Sequence, residues 1–317
     1  MQAIMQDEQA PSAEAETRGR HAQTFLARLA RTPVGAAGLL LVTTLALAAV
    51  LAPVLPLQDP LLLHMDHALT APGREFLLGT DQAGRDLLSR IIWGGRASLA
   101  IGACVIAIGL ALGISIGLVA GYFSRTWIEE SLMKLMEIFA SIPLLIWAIA
   151  MVGVLGVQPT TFGPFRLSNE AKLTLLIGLL YTPGLARLTH GLVLQEAASE
   201  YVLARRVQGA STASILFTDI LPNVISPVLV QAAILMGVAI IVEASLSFIG
   251  LGVQPPTPSW GTLLADARNL VFSGEWWVAF FPGLTVFLAV LGLNLLGDGL
   301  RVVLDPRRRT SAAGELL

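Results

Sequence analysis

The feature of this sequence that most constrains its fold is an apolar run without a charged side chain, residues 97–124. About 20 consecutive apolar residues are enough for a helix to cross the hydrocarbon core of a bilayer. The rest of the chain agrees with this run, because 55% of its residues are hydrophobic and only 13% are charged. Soluble domains carry about 25% charged residues. The sequence therefore predicts an integral membrane protein.

Six segments have the length and composition of membrane spans. They are residues 34–55, 97–124, 138–157, 173–194, 224–253 and 276–297. With the N-terminus in the cytoplasm, thirteen of the 20 Lys and Arg residues fall in cytoplasmic segments and seven fall outside. Since Lys and Arg concentrate on the cytoplasmic side of membrane proteins, we predict an all-α protein with six transmembrane helices and both termini in the cytoplasm.

This topology divides the chain into four parts. A cytoplasmic tail (1–32) precedes a first span with its extracytoplasmic segment (33–96). A transmembrane core (97–303) follows and includes a long cytoplasmic connection (191–223) between the fourth and fifth spans. A second cytoplasmic tail (304–317) ends the chain.

Two extracytoplasmic stretches have recognisable patterns. In residues 86–96 the leucines and isoleucines fall on one helical face and the polar side chains on the other, which is typical of an interfacial helix lying on the membrane. Residues 250–275 contain prolines at positions 255, 256 and 258. Because proline lacks the N–H that a helix needs, the second stretch predicts a rigid loop without a regular helix.

Glycine recurs at every fourth position of the second span, at 109, 113, 117 and 121. Such a stripe lies on one face of a helix and lets a neighbouring backbone come close. The pattern predicts a tight helix–helix contact. It fits both a movable contact in a transport core and ordinary membrane packing.

The cytoplasmic connection has the pattern of two helices joined by a turn. Residues 196–208 are helix formers throughout, and Gly209 predicts the end of that helix because glycine tolerates left-handed dihedral angles. Ser211 is a suitable N-cap for a second, short helix through Thr218. Pro222 then marks the entry to the fifth span.

Few residues in this chain have the pattern of a chemical site. Glu243 is the one acid well inside a predicted span, where charge is costly and is usually functional. Together with Ser247 it could line a substrate path, or it could make a structural hydrogen bond. The stretch His64–His67 could bind nickel or zinc through two imidazoles and Asp66, or form a solvated loop. No Gly-Lys pair occurs, so the chain has no phosphate-binding P-loop.

The cytoplasmic connection also resembles a known element. Gly209 lies 13 residues before the proline of a Leu-Pro pair, a spacing similar to that of the EAA loop of bacterial ABC-importer permeases. Leu203, Ala204 and Arg205 stand where that family has Glu-Ala-Ala. Three further segments, at 78–99, 246–261 and 294–307, resemble the dipeptide, oligopeptide and nickel branch of these permeases, and within it the second of two paired subunits.

The resemblance implies a permease subunit that forms half of the pathway of an ATP-driven, binding-protein-dependent importer in the bacterial inner membrane. The implied partners are a homologous permease, two ATPases, an extracytoplasmic solute-binding protein and membrane lipid, with no nucleic acid. The ATPases would bind ATP and Mg²⁺, so this chain is expected to be non-catalytic and to hold no cofactor or metal. Di- and oligopeptides are the expected substrates; nickel chelates, glutathione and opine-like solutes are alternatives.

The resemblance also implies roles for residues at both ends of the core. In the family the EAA loop docks into a groove of the ATPase. The residues expected to couple to it here are Tyr201, Ala204, Arg205, Gly209, Ala210, Ser211 and Pro222. The residues expected to meet the binding protein or to take part in gating are Gly79, Asp81, Arg85, Asp86, Pro256 and Trp260.

A function of another class stays open at this point, an autonomous secondary transporter or channel. Ion coupling would need charges inside the membrane, and the sequence offers mainly Glu243. Secondary transporters also often contain internal repeats, and none is apparent in this sequence.

Overall fold

Helices account for most of this chain in a computed structural model that describes residues 27–270 and 273–304. In chain order they are α1 (Pro33–Leu51), α2 (Leu87–Tyr122), α3 (Trp127–Ser141), α4 (Leu144–Leu155), α5 (Asn169–Ala197), α6 (Glu200–Val207), α7 (Thr212–Phe248), α8 (Trp260–Ala267) and α9 (Trp276–Leu304). The predicted tails, 1–32 and 304–317, lie almost wholly outside the described residues.

The all-α prediction misses one small element. Strands β1 (Thr160–Phe162) and β2 (Phe165–Leu167) form an antiparallel hairpin between α4 and α5. Lys172, near the start of α5, is buried beside this hairpin. Its ammonium donates to the carbonyls of Leu155, Gly156 and Gln158 at 2.7–3.1 Å, where α4 ends. A cation at the negative end of a helix dipole is favourable, so Lys172 joins the two helices.

Among the described helices, α1, α2, α7 and α9 are long and apolar enough to cross a membrane. A fifth crossing results if α3 and α4 are taken together. The predicted fourth span lies in α5, which has 29 residues. Its second half contains Arg187 and His190, and the helix is not apolar enough to be counted with these spans. The structure thus supports four or five of the six predicted spans.

The predicted third span, 138–157, is not one straight helix. The chain bends by 83° between α3 and α4. A proline disfavours the α conformation of the residue before it, and Ile142, which precedes Pro143, is extended with φ −97° and ψ 125°. The rings of Phe139 and Trp147 stack across the bend with their centroids 5.7 Å apart.

The predicted interfacial helix at 86–96 is wrong as a separate element. It forms the first turns of α2, a single helix of 36 residues that extends over about 54 Å, against about 30 Å for the hydrocarbon core. Gly94 and Gly95 do not break it, because Ser259 and the ring of Trp260 pack directly on them. The side chains of Ser89 and Arg90, predicted to face away from the apolar side, are buried.

The glycine stripe of α2 makes the tight helix contact that was predicted, and its partner is α5. A Cβ atom built on Gly113 would lie 2.6 Å from Leu185 Cβ, and one built on Gly117 would lie 2.5 Å from Thr189 Cβ. Both separations are shorter than non-bonded carbon atoms allow. Glycine is therefore required for α2 and α5 to approach this closely.

The proline-containing connection at 250–275 is more ordered than predicted. Its prolines precede the short helix α8, which begins after Ser259 with a capping box: Ser259 Oγ accepts from Thr262 N–H, and Thr262 Oγ1 accepts from Ser259 N–H. This reciprocal pair satisfies backbone donors at the start of a helix. The prediction of a loop without a helix is therefore wrong after residue 259.

Candidate functional site

The connection between α5 and α7 packs at the C-terminal end of α2, the end that the sequence predicts to be cytoplasmic. α6 begins at Glu200, four residues later than predicted, after a break at Ala198 and Ser199. Gly209 has φ +77°, and Ser211 Oγ accepts a hydrogen bond from Ser214 N–H. The predicted helix end and N-cap are both correct.

The helix that starts after Ser211 is not short, contrary to the prediction. It continues to Phe248 through a π-helical segment, Ile215–Ile220, in which Leu221 N–H donates to Leu216 O. Pro222 has no N–H to donate and would interrupt a uniform α-helix. The wider π turn ahead of it lets the helix pass Pro222 without ending.

α6 is held to the bundle by both apolar and polar contacts. Val202 is fully buried and packs with Val193 and Ile215, and Ala210 lies at the edge of the same cluster. On the polar side, Tyr201 Oη donates to the carboxylate of Glu196, and Asn223 Nδ2 donates to Tyr201 Oη at 2.9 Å. Partial burial, followed by the hydrogen bond to Glu196, raises the pKa of Tyr201, so its phenol stays protonated at neutral pH.

Apolar side chains remain exposed on the other side of this connection. Val207 is 90% exposed, and Leu203 and Phe217 are also open to solvent. Ala204, Gly209 and Ser211 lie on the same exposed stretch. We call Leu203, Val207 and Phe217 the apolar rim. Leu203 and Val207 are four residues apart and therefore share one face of α6; contiguous exposed apolar surface marks protein contacts.

At the opposite end of α2, four charged residues form a cluster that we call the outer clasp: Asp81, Arg85, Arg90 and Asp266. Asp81 and Arg90 are almost completely buried, at 1% and 3% exposure, and are in direct ionic contact. Arg85 Nε lies 2.7 Å from Asp81, and Arg90 lies 3.0 Å from Asp266 on α8. Two positive and two negative charges therefore join the start of α2 to α8.

The other residues expected at the outer surface differ in their accessibility. Pro256 is exposed. Asp86 instead caps α2, accepting from Ser89 N–H at 2.9 Å, and the buried indole of Trp260 donates to Ile91 O at 3.0 Å. Gly79 is buried against the ring of Trp277 with φ +80°. We call residues 78–96 and 250–270 the outer segment. The side chains of Asp86 and Trp260 help to build this segment and are not open to a docking protein in this conformation.

The intramembrane acid is also buried. Glu243 is 0% exposed and accepts hydrogen bonds from Ser98, Ser247 and Ser259 at 2.8–3.1 Å. Of the two interpretations of the sequence, the hydrogen-bonded structural one agrees with this geometry. Ser247, the other predicted pathway residue, is buried in the same network.

The His64–His67 stretch is placed against an aromatic ring. The rings of His67 and Phe76 have centroids 5.5 Å apart, and those of His64 and Phe76 lie 6.3 Å apart. In the part of the chain that the structure describes, no group of three His, Cys, Asp or Glu side chains has the geometry to hold a metal ion.

This chain is similar to membrane proteins of known function. Residues 113–310, more than half of the sequence, match the family described as the inner membrane component of binding-protein-dependent transport systems. The chain belongs to this family of ABC-importer permeases. It is 42% identical over 281 residues to the di/tripeptide transport system permease protein DppC of Pseudomonas aeruginosa, with 87% of this chain and 88% of the relative covered.

Two further comparisons agree with that assignment. The glutathione transport system permease protein GsiD of Pectobacterium atrosepticum is 36% identical, with 87% of each chain covered. An inward-facing structure of the MetNI methionine ABC transporter superposes with a TM-score of 0.54, covering 69% of this chain and 98% of that one at 21% identity. The structural likeness shows a shared permease fold.

Several contacts that build these sites could not be predicted from the sequence, because the residues involved are far apart in the chain. Asp266 and Arg90 are 176 residues apart, and Ser98 and Glu243 are 145 residues apart. Such pairs meet only through the tertiary fold. The one local signal was a serine after a proline, Ser259, whose position before a helix former is typical of an N-cap.

Proposed function

We propose that this permease forms half of the translocation pathway of an importer for short peptides. The observation that carries the proposal is the connection between α5 and α7, which combines an anchored helix, a turn at Gly209 and an exposed apolar rim. ATPase subunits would bind this surface. When ATP binding closes the two ATPases against each other, the connection would transmit that movement to α5 and α7. A paired permease would complete the pathway. In this arrangement α5 would cross the membrane as the sixth span and would contact the paired permease and lipid.

Short peptides are proposed because the named relative with 42% identity is a di/tripeptide permease. The relative named as a glutathione permease, at 36% identity, makes glutathione the second candidate substrate. Glutathione is itself a tripeptide. A solute-binding protein would deliver either substrate to the outer surface near Pro256 and the outer clasp. ATP and Mg²⁺ would be bound by the ATPases, and this chain would carry out no catalysis.

Reconstitution tests this function directly. The chain, its paired permease, two ATPases and the binding protein are placed in proteoliposomes, and uptake of a labelled dipeptide and of labelled glutathione is measured with and without ATP. We expect uptake only with the complete set and ATP. Uptake by the purified chain alone, driven by an ion gradient, would instead identify an autonomous secondary transporter.

The apolar rim provides a second test of the same proposal. Val207→Asp places a charge at a site that is 90% exposed, so folding of the permease should be unaffected. At a contact that excludes water, an unpaired charge is costly, and the ATPases should no longer co-purify. Thr126→Asp, at the exposed N-cap of α3 and outside this connection, is the control and should retain them, because aspartate is also a favourable N-cap.

A further inference from the structure

The carboxylate of Glu243 is surrounded by hydroxyl groups. Ser247 and Ser259 donate to its Oε1 at 2.8 and 3.1 Å, and Ser98 donates to its Oε2 at 3.0 Å. Among the ion pairs formed by the described residues, none involves Glu243. Its oxygens are therefore directed at three serines that come from α2, α7 and the start of α8.

Each of these serines also accepts a hydrogen bond from a backbone N–H. Ser98 Oγ accepts from Trp260 at 3.1 Å, Ser247 Oγ from Val253 at 3.0 Å, and Ser259 Oγ from Thr262 at 3.1 Å. A hydroxyl has one proton and two acceptor lone pairs. Because all three hydroxyls donate their hydrogen bonds to the carboxylate, the lone pairs of the serine oxygens are left to accept from the backbone N–H groups of residues 253–262.

The same stretch of backbone lies directly on α7. A Cβ atom built on Gly261 would be 2.6 Å from Ala244 Cα, and one built on Gly252 would be 2.1 Å from Ser247 Oγ. α8 then extends over about 12 Å for its eight residues. At its far end Asp266 meets Arg85 and Arg90, so the position of the start of α8 determines whether the outer clasp can form.

We infer that Glu243 is a positioning residue for the outer segment. It orients the hydroxyls of Ser98, Ser247 and Ser259 so that they hold residues 253–262 against α2 and α7, and through α8 it aligns Asp266 with the two arginines. Glu243 does not contact the transported solute. The consequence for transport rests on the proposed function, whereas the consequence for the position of α8 does not.

Two substitutions separate this role from that of a charge lining the pathway. Glu243→Gln removes the charge and keeps an oxygen that can accept from Ser247 and Ser259, so that only the proton of Ser98 loses its acceptor. Glu243→Leu keeps a similar volume and removes every acceptor, leaving three buried hydroxyls without a partner for their protons. A buried donor without a partner is strongly unfavourable, so the leucine variant, with three such donors, should release α8 far more than the glutamine variant, with one.

The position of α8 is read from the labelling rate of a buried thiol. Leu263, 1% exposed on α8, is changed to cysteine in a Cys104→Ala background, and the assembled importer is treated with a membrane-impermeant maleimide. Because each lost hydrogen bond shifts an opening equilibrium by about tenfold, Glu243→Leu should raise the labelling rate by about a hundredfold or more, and Glu243→Gln by about tenfold or less. The control Ser245→Ala, on the exposed side of α7, should change it by less than about threefold.

Dipeptide uptake is measured on the same variants. It should fall in Glu243→Leu, while Glu243→Gln should retain most of it.

Equal loss of uptake in both variants with unchanged labelling would overturn the inference, because the charge alone would then matter. Wild-type labelling in Glu243→Leu would overturn it as well. If the leucine variant does not assemble, Ser259→Ala and Ser98→Ala replace it, since each removes one hydroxyl that links Glu243 to the backbone of residues 253–262. Unchanged labelling in both serine variants would count against the inference. Absence of uptake by the unmodified importer would refute the proposed function without affecting the labelling result.

Discussion

Arg205 Nε donates to Asp219 Oδ2 at 3.1 Å, across the turn at Gly209. The same guanidinium donates to Ser214 Oγ at 3.2 Å. Arg205 is therefore directed into the connection and joins α6 to the start of α7. Arg206 differs, since its guanidinium lies over the ring of Tyr122 at 4.5 Å from the centroid, a cation–π contact with the end of α2.

The first prediction concerns this ion pair. Arg205→Glu places two acids side by side and should loosen α6, which lowers ATPase-coupled uptake. Because the pair is partly exposed, its contribution to stability is about 1 kcal/mol or less, so the permease should still fold. The exchange Arg205→Glu with Asp219→Arg should restore uptake in part. If the exchange gives no more uptake than Arg205→Glu alone, pairing of these two residues is not what the connection needs.

The second prediction concerns the turn itself. A Cβ atom at Gly209 would have no atom within 4 Å, but φ is +77°, and a left-handed conformation costs a β-branched residue roughly 1–3 kcal/mol. Gly209→Val combined with Ala210→Asp should therefore alter the turn and place a charge beside the apolar cluster of Val202. We expect loss of ATPase co-purification and of substrate-stimulated ATP hydrolysis, with insertion and pairing of the permease unchanged.

Gly191→Val is the matched control for this turn. Gly191 also has open space around its Cβ position, and its φ is not left-handed. It should retain both the ATPases and stimulated hydrolysis. Should the double variant at 209 and 210 keep its ATPases and full stimulation, the connection between α5 and α7 would not be the coupling element.

Local patterns in the sequence were sufficient for the features that depend on neighbouring residues. The helix end at Gly209 and the N-cap at Ser211 follow from backbone preferences of single residues, and the glycine stripe follows from helical periodicity. Pro143 carried a signal of the same kind, since the residue before a proline avoids the α conformation, and that signal was outweighed by the high hydrophobicity of the segment around it.

Other features depend on residues far apart in the chain. The polar face of 86–96 is buried because Arg90 meets Asp81 and Asp266, and nothing near Arg90 in the sequence specifies Asp266. The role of Glu243 depends likewise on Ser98 and Ser259, which only the packing of α2 and α8 on α7 brings together. Sequence identified Glu243 as unusual because a buried acid is costly, but its partners required the tertiary structure.

The third prediction concerns the contact between α2 and α5. Gly117→Ala would place a methyl group 2.5 Å from Thr189 Cβ and 2.7 Å from Ala186 O. Overpacking of this kind costs about 1–3 kcal/mol, so the midpoint of thermal unfolding in detergent should fall. Gly184→Ala on α5 is the control, because its Cβ position is open, and it should be neutral or slightly stabilising. Equal stability of the two variants would mean that α2 and α5 can separate at no cost.

The fourth prediction concerns the outer clasp. Arg90→Met leaves Asp81 buried with only the more exposed Arg85 to neutralise it, and breaking a buried pair from one side costs about 3–5 kcal/mol. The unfolding midpoint should drop well below that of Gly117→Ala, and the outer segment should become sensitive to protease. Arg74→Met, at an exposed position, should behave as the unmodified chain. Normal stability of Arg90→Met would show that Arg85 alone can hold Asp81.

The fifth prediction concerns the orientation of the chain, which follows from the distribution of Lys and Arg. Thr257 lies in the proline-containing connection, Val207 lies beside the turn at Gly209, and both are exposed. In a Cys104→Ala background, a cysteine at Thr257 should react with a membrane-impermeant maleimide in intact cells, and one at Val207 should react only after the membrane is opened. The two sites lie near opposite ends of α2, so a single-sided reagent should distinguish them. Reaction of Val207→Cys in intact cells would reverse the orientation, and it would place the apolar rim out of reach of any cytoplasmic ATPase.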